Sequence, residues 1–265
     1  MRVSLIITTY NWVEALELSI LSALNQTTLP DEIVIADDGS DNRTKEMIDK
    51  ISKKSIVNIV HSWQEDRGFR ASSSRNKAIF KSSYEYIILI DGDMILDKEF
   101  IKEHKEHSQK GCFIQGSRVL LNHIKSKEVL LNKNMSFNFL SKNIDNRINA
   151  IHSKILSKTF MTITQEHRGI KTCNLSFFRV DCIDVNGFNE DFVGWGREDS
   201  EFVERLYNYG TKRKNIKFNC IAYHIWHNEN SRVSLKKNDT ILNNTIVAKL
   251  KWCDNGIDKY IKGTK

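Results

Sequence analysis

The stretch YIILIDGDMIL, residues 86–96, decides how the rest of the chain is read. Tyr86, Ile87, Ile88, Leu89 and Ile90 form an apolar run that drives straight into Asp91-Gly92-Asp93 and then turns apolar again. A run of this kind reads as a strand buried on both faces. Two carboxylates one residue apart at its end are costly unless something cationic neutralises them. A divalent ion bridging to a phosphorylated ligand would do so, because Mg²⁺ or Mn²⁺ takes few protein oxygens and keeps positions for phosphate. The alternative is a strand-ending turn with two solvated aspartates, and the surrounding sequence has to decide.

Upstream, VSLIITT (residues 3–9) is a second β-rich apolar run, followed over residues 12–26 by Val13, Leu16, Ile20, Leu21 and Leu24 at helical spacing. EIVIA (residues 32–36) is another strand and runs into Asp37-Asp38-Gly39-Ser40. Residues 44–51 read as a helix starting near Asp41, residues 56–61 as a strand and residues 72–81 as a helix. Strands alternating with helices predict βαβ units and a mainly parallel sheet. Ligands of such sheets sit beyond the carboxyl ends of the strands. Three polar clusters fall at such ends, at residues 8–11, 37–40 and 91–93, and are expected to converge on one ligand.

Neither GxGxxG nor GxxxxGK occurs, which disfavours a dinucleotide dehydrogenase or a P-loop phosphotransferase. Phosphate would then be held by metal and by basic side chains. Arg67, Arg70 and Arg75 are candidates, since arginine meets phosphate oxygens bidentately.

Downstream, residues 100–109 read as a helix and residues 112–121 as a strand pair, with Gly111 and Gly116 as breaks. Residues 122–167 are polar, rich in Lys and Asn and weakly periodic, and read as a helical or loop excursion over the site. A strand is expected over residues 171–179. Phe202, Val203, Leu206 and Tyr209 then make one helical face, which puts Glu198, Asp199 and Glu201 in a first turn behind the loop Gly194-Trp195-Gly196. Acidic residues in a first turn complement the helix dipole. That does not explain a tryptophan between two glycines. A planar side chain beside a carboxylate suits a sugar site, packing on the ring while a base takes a hydroxyl proton. A strand over residues 215–223 ends in His224-Ile225-Trp226-His227, and a neutral imidazole there could complete a metal shell begun by Asp93. On an extended strand, positions 224 and 227 face opposite ways, so only one of them is expected to ligate. Residues 231–265 form a basic tail with a helix over 239–251, packed on the outside or on a partner.

The composition, 40% hydrophobic and 28% charged, is that of a globular protein. The net charge of +7 favours anionic partners and is compatible with peripheral contact at an anionic membrane surface. Five scattered cysteines without a CxxC pair read as reduced thiols of a cytosolic protein. No leader-like start is expected, and no apolar run reaches the ~20 residues a spanning helix needs. A cytoplasmic protein, soluble or peripheral to the inner face of the plasma membrane, is the expectation.

VSLIITTYN, ADDGS, SSSRN, LIDGDM and GWGREDSEF, in that order, resemble a family 2-type glycosyltransferase of the GT-A fold, and GWGRED resembles a galactosyltransferase motif also found in chondroitin-type polymerases. The resemblance covers approximately residues 3–95 and 171–227. It implies an α/β, Rossmann-like, mainly parallel twisted sheet flanked by helices. A nucleotide-sugar half (1–110), an acceptor and catalytic half (111–230) and a basic helical tail (231–265) would belong to one domain with a C-terminal elaboration.

It further implies a UDP-sugar donor, a glycan or glycolipid acceptor, Mn²⁺ or Mg²⁺, inversion at the anomeric carbon and no nucleic acid. By the same resemblance Thr8 and Tyr10 line the nucleotide pocket, Asp38 binds uracil, and Arg70 and Arg75 approach uridine or diphosphate. Asp91 faces ribose or metal, while Asp93 with His224 or His227 ligates the ion. Trp195 meets donor or acceptor sugar, Glu198 holds sugar hydroxyls and Asp199 is the base. Arg197 departs from the family form, which often carries further acids after the tryptophan loop, and this affects the acceptor side. One transfer module, where chondroitin-type polymerases commonly have two, favours transfer of a single hexose or N-acetylhexosamine into a surface polysaccharide, capsule or lipooligosaccharide precursor. The alternatives are a metal-dependent nucleotidyltransferase and a non-catalytic carbohydrate- or nucleic-acid-binding protein.

Overall fold

The computed structural model describes residues 1–228 and 231–263. Its strands are β1 (Val3–Thr9), β2 (Glu32–Asp37), β3 (Asn58–Trp63), β4 (Tyr86–Asp91), β5 (Met94–Leu96), β6 (Cys112–Gln115), β7 (Ser117–Leu121), β8 (Ile144–Asp145), β9 (Thr162–Thr164), β10 (Asn174–Phe178), β11 (Lys212–Asn215) and β12 (Ile221–His224). The α-helices are α1 (Val13–Leu24), α2 (Asn42–Ser52), α3 (Ala71–Lys81), α4 (Phe100–His107), α5 (His123–Asn132), α6 (Lys154–Phe160), α7 (Arg179–Asp184), α8 (Glu198–Tyr209), α9 (Leu235–Val247) and α10 (Asp258–Lys262). Among the described residues, one sheet has the order β3-β2-β1-β4-β10-β6-β11-β9 and a smaller one the order β5-β12-β7-β8. β1, β2, β3 and β4 are parallel, as their alternation with helices requires, whereas β10 runs antiparallel to both β4 and β6. The result is an α/β fold in which a large mixed sheet, parallel over its first four strands, is flanked by helices.

The buried strands explain themselves. Leu5 and Ile7 pack with Leu16 and Ile20 of α1 and Ile48 of α2, while Ile6 between them packs with Ala78 and Ile79 of α3 and Phe202 and Leu206 of α8. Alternate side chains of one strand thus feed two cores, which is why these strands read as continuous apolar runs. A third core forms where Ala15 and Leu18, also on α1, meet Ile95, Val119, Leu121 and Tyr223 of the smaller sheet.

Several expectations are corrected. Residues 112–121 are not a strand pair. β6 and β7 are consecutive strands in different sheets, joined at Gly116, where an added Cβ would lie 2.4 Å from Asn174 Oδ1. The strand expected over 215–223 is two strands, because Phe218 and Cys220 take left-handed backbone angles (φ 64° and 51°) between β11 and β12. Residues 122–167 do supply two helices, but also β8 and β9, which pair into the smaller and larger sheets. The tail helix begins at Leu235, four residues before the expected start, and packs on α8 of the same chain.

Candidate active site

The loops at the carboxyl ends of β1, β2 and β4 are stitched into one surface. Asp37, fully buried, accepts from the backbone N–H of Gly39 and Ser40 and binds His61 Nε2 at 2.8 Å, which shapes the turn after β2. Gly39 is obligatory there: its φ is +100° and a Cβ would sit 2.5 Å from Asp66 Cα. Asn11 donates its backbone N–H to Ser40 Oγ and accepts from Asp41 N–H, binding the first loop to the second. Asp38 accepts from Gln64 Nε2 at 2.6 Å and from Arg70 N–H at 2.7 Å, and burial raises its carboxyl above the ordinary value. Tyr10 is half exposed and donates its hydroxyl to Asp66 at 2.9 Å. The Arg70 side chain lies at the surface, with Nε 3.3 Å from the Arg67 carbonyl.

Gly92 donates its N–H to the Thr8 carbonyl at 2.7 Å, which brings the third loop against the first. Arg75 was expected beside the uridine or diphosphate. It is 4% exposed, and its guanidinium faces Glu198 Oε1 at 3.2 Å, Asp91 Oδ1 at 3.4 Å and Thr8 Oγ1 at 3.4 Å. One cation from α3 thereby joins the end of β4 to the first turn of α8. Asp91 is raised by burial, with Arg75 working against that rise.

Asp93, His224 and His227 come together. β12 pairs antiparallel with β5, placing His224 opposite Met94, and the ladder continues when Ile225 N–H binds the Asp93 carbonyl. β12 ends at His224. Trp226 N–H turns to Ser126 Oγ, and the chain brings His227 back to the same carboxylate. His224 Nε2 and His227 Nε2 lie 3.2 and 3.1 Å from Asp93 Oδ2, so the expectation that positions 224 and 227 face opposite ways fails. The expectation assumed extended backbone, and the turn after residue 224 removes it.

This donor set fits a divalent ion. The three ligand atoms lie within 4.8 Å of one another, and Asp93 Oδ1 is buried with no hydrogen-bond partner among the described residues. His227 Nδ1 faces the Asn228 carbonyl at 2.6 Å; a carbonyl only accepts, so Nδ1 carries the proton and Nε2 points at the cluster. Burial pushes the Asp93 carboxyl up, but the two histidines outweigh it and hold it well below the usual carboxylate range. Asp93 in turn raises His227 to about 9. Asp91 is not part of this cluster, because its carboxylate is turned to Arg75.

The tryptophan loop is built by strained backbone. Gly194, Gly196 and Arg197 all have positive φ (80°, 105° and 77°), and a Cβ on Gly194 would meet Ser234 Oγ at 2.2 Å. Trp195 stays partly exposed, with the Arg232 guanidinium 5.7 Å from its ring centre. Asn238 Nδ2 holds the Gly196 carbonyl at 2.9 Å and Asp239 holds Arg197 Nε at 2.6 Å. These α9 residues were missed from sequence, where the tail reads as generic basic helix. Below the loop, Asp199 accepts from Ser200 N–H at 2.7 Å. Burial, reinforced by the neighbouring Glu198 charge and opposed by Arg75, pushes Asp199 up to about 7. Glu201 and Arg205 form a buried bidentate pair, both contacts at 2.8 Å, that ties this helix to Thr245 of α9.

A strand-end carboxylate–histidine cluster, a clamped arginine and an elevated carboxylate now occupy one face. The family model for glycosyl transferase family 2 matches residues 4–168. The chain belongs to that family. The match runs through residues 122–167, where no motif is legible. A second model, described as the N-terminal domain of galactosyltransferase, matches residues 155–228 and so includes the tryptophan loop and both histidines. Among curated relatives, the family 2 chain is 26% identical over 245 residues to a chondroitin synthase of Escherichia coli, covering 83% of this chain and 34% of that protein. It is 27% identical over 237 residues to a hyaluronan synthase of Pasteurella multocida, covering 83% and 24%. The chain therefore spans about a third or less of the length of these relatives. The crystal structure of S. aureus TarS shares its fold, with a TM-score of 0.59 at 17% identity over 93% of this chain and 40% of that one.

Proposed function

We propose that this chain is a metal-dependent, inverting glycosyltransferase that moves one hexose or N-acetylhexosamine from a UDP-sugar to a hydroxyl of a glycan or glycolipid acceptor. The observation that carries the proposal is the Arg75 bridge, which couples the strand end bearing the Asp93–His224–His227 cluster to the helix start bearing Asp199. Family membership favours sugar transfer over nucleotidyl transfer or a non-catalytic binding role. The curated relatives are named as synthases of polysaccharides, which supports a place in surface polysaccharide or lipooligosaccharide assembly.

In this reading Thr8, Tyr10 and Asp38 border the nucleotide and Arg70 approaches its diphosphate. Asp93, His224 and His227 would hold Mn²⁺ or Mg²⁺, which when bound neutralises the charge developing on the diphosphate. Asp199 accepts the proton of the acceptor hydroxyl as its oxygen bonds to the anomeric carbon. The bond from that carbon to the diphosphate oxygen breaks, its electron pair leaves with UDP, and attack from the opposite face inverts the centre. A carboxylate raised to about 7 is well matched to taking a proton at neutral pH. Glu198, held by Arg75, orients sugar hydroxyls, and Trp195 packs on a sugar face.

Calorimetry with UDP, with and without Mn²⁺, tests the donor half: binding that requires the ion is expected, and metal-independent or absent binding overturns it. Asp199→Asn should abolish transfer and keep UDP binding; loss of both would assign the base elsewhere. A screen of UDP-sugars for hydrolysis or transfer then identifies the donor.

A further inference from the structure

Beside this site lies a cavity of about 230 Å³, between the β6–β7 junction and the segments around Asn146, Lys171 and Lys217. Arg118, Lys171 and Lys217 line it together with Gln115, Asn146 and Asn149, and no aspartate or glutamate does. Its wall adjoins the proposed reaction centre. Asn174 pairs with Ile90, so the cavity residue Cys173 lies one step beyond, level with Asp91. Leu120, also in the lining, pairs with His224.

Gln115, Asn146 and Asn149 are spent on the backbone of two of the cations. Gln115 donates to the Lys171 carbonyl and accepts from the Lys171 N–H, both at 3.0 Å. Asn146 and Asn149 each donate to the Arg118 carbonyl at 2.9 Å. The backbones of Arg118 and Lys171 are therefore pinned while their charged heads are not. Among the described residues, none of the three cations forms an ion pair, and the Arg118 guanidinium has only Cys173 Sγ at 3.9 Å. Nearby Arg213, by contrast, faces Glu166, and Lys214 is hydrogen-bonded to the His107 carbonyl. Burial and then the Arg118 charge lower Lys171 from its ordinary value, with Cys173 and the Asp199 carboxylate working against that fall. Like charges gathered over a polar cavity cost energy that an anionic ligand recovers.

We infer that this cavity is an acceptor subsite for an anionic group, a carboxylate or phosphate on the glycan acceptor, received by Arg118, Lys171 and Lys217. The inference rests on the transferase reading for the use made of the bound saccharide, but not for the binding itself. Arginine offers a fork suited to either oxyanion, and the two lysines add rotatable donors.

The test uses short oligosaccharides identical except for a terminal glucose, glucuronate or glucose 6-phosphate, with binding measured by calorimetry without donor. At least one anionic member should bind about tenfold or more tightly than its neutral counterpart, an advantage that shrinks with salt. The glucuronate and phosphate arms tell the two chemistries apart. Arg118→Gln combined with Lys171→Gln should erase the anionic preference, and Lys217→Gln, on the cavity rim, should reduce it. Melting curves check that each variant is folded. Equal binding of neutral and anionic members by the unaltered chain overturns the inference, as does a preference that survives all three substitutions. Donor hydrolysis by the unaltered chain is read separately: if it is absent while anionic preference is present, the transferase reading fails and the anion site stands.

Discussion

Arg75 and Glu198, 123 residues apart in sequence, meet at 3.2 Å in the interior, and the same guanidinium reaches Asp91 at 3.4 Å. This contact joins the end of β4 to the first turn of α8. Replacing the arginine leaves two carboxylates close together without a counter-charge.

Arg75→Met should therefore cost about 3 kcal/mol of stability, the scale for removing one partner of a buried ion pair. Adding Glu198→Gln should recover part of that loss, because the double variant no longer buries an uncompensated carboxylate. Denaturant titration of both variants checks it; an Arg75→Met protein as stable as the parent would mean that the bridge is not energetically coupled.

Asp199 gives a pH dependence with a definite sign. Its folded-state value of about 7 lies above the ~3.9 of an unfolded chain, so the folded state holds its proton more tightly. The stabilisation this provides is fully present below the unfolded value and is lost as pH rises through about 7. Asp199→Asn should accordingly raise Tm at pH 8 and change it little at pH 4. In the parent, transfer should fall about tenfold per pH unit below the titration midpoint as the base becomes protonated.

Both histidines should matter to metal. Asp93→Ala, His224→Ala and His227→Ala are each expected to weaken Mn²⁺-dependent UDP binding by more than about tenfold, given the sensitivity of metal sites to the loss even of outer partners. Manganese titration of the three variants checks this. If either histidine variant binds as the parent does, that ring is not a ligand.

The tryptophan loop should depend on the tail. Gly194→Ala places a Cβ 2.2 Å from Ser234 Oγ at a φ of +80°. It should lower both stability and transfer. Adding Ser234→Gly removes the collision but leaves the left-handed backbone penalty of about 1–2 kcal/mol, so rescue should be partial. Asn238→Ala, which loses the bond to the Gly196 carbonyl, should cost about 1 kcal/mol and reduce transfer more than UDP binding. Full transfer activity in Asn238→Ala would separate the tail from the loop.

The first four parallel strands were legible because their apolar runs are uninterrupted and bounded by polar strand ends. Legibility declines after residue 110. β6, β7, β11 and β12 have four or five residues each, and their boundaries depend on left-handed residues such as Phe218 and Cys220, which carry no glycine-like signal. The α9 contacts to Gly196 and Arg197 had no signal either, since Asn238 and Asp239 are ordinary residues for an exposed helix.

The α/β alternation, the strand-end location of Asp38, Asp91 and Asp93, and the helix start that carries Glu198 and Asp199 are written in the order of residues along the chain. Periodicity and local composition encode those features within a few residues of each position. Folding alone turns Arg75 to Asp91 and Glu198, brings His224 and His227 to one carboxylate, and lines one cavity with Arg118 and Lys171. These relationships depend on sheet order and on single backbone turns between distant segments. Spacing along the chain carries no record of them.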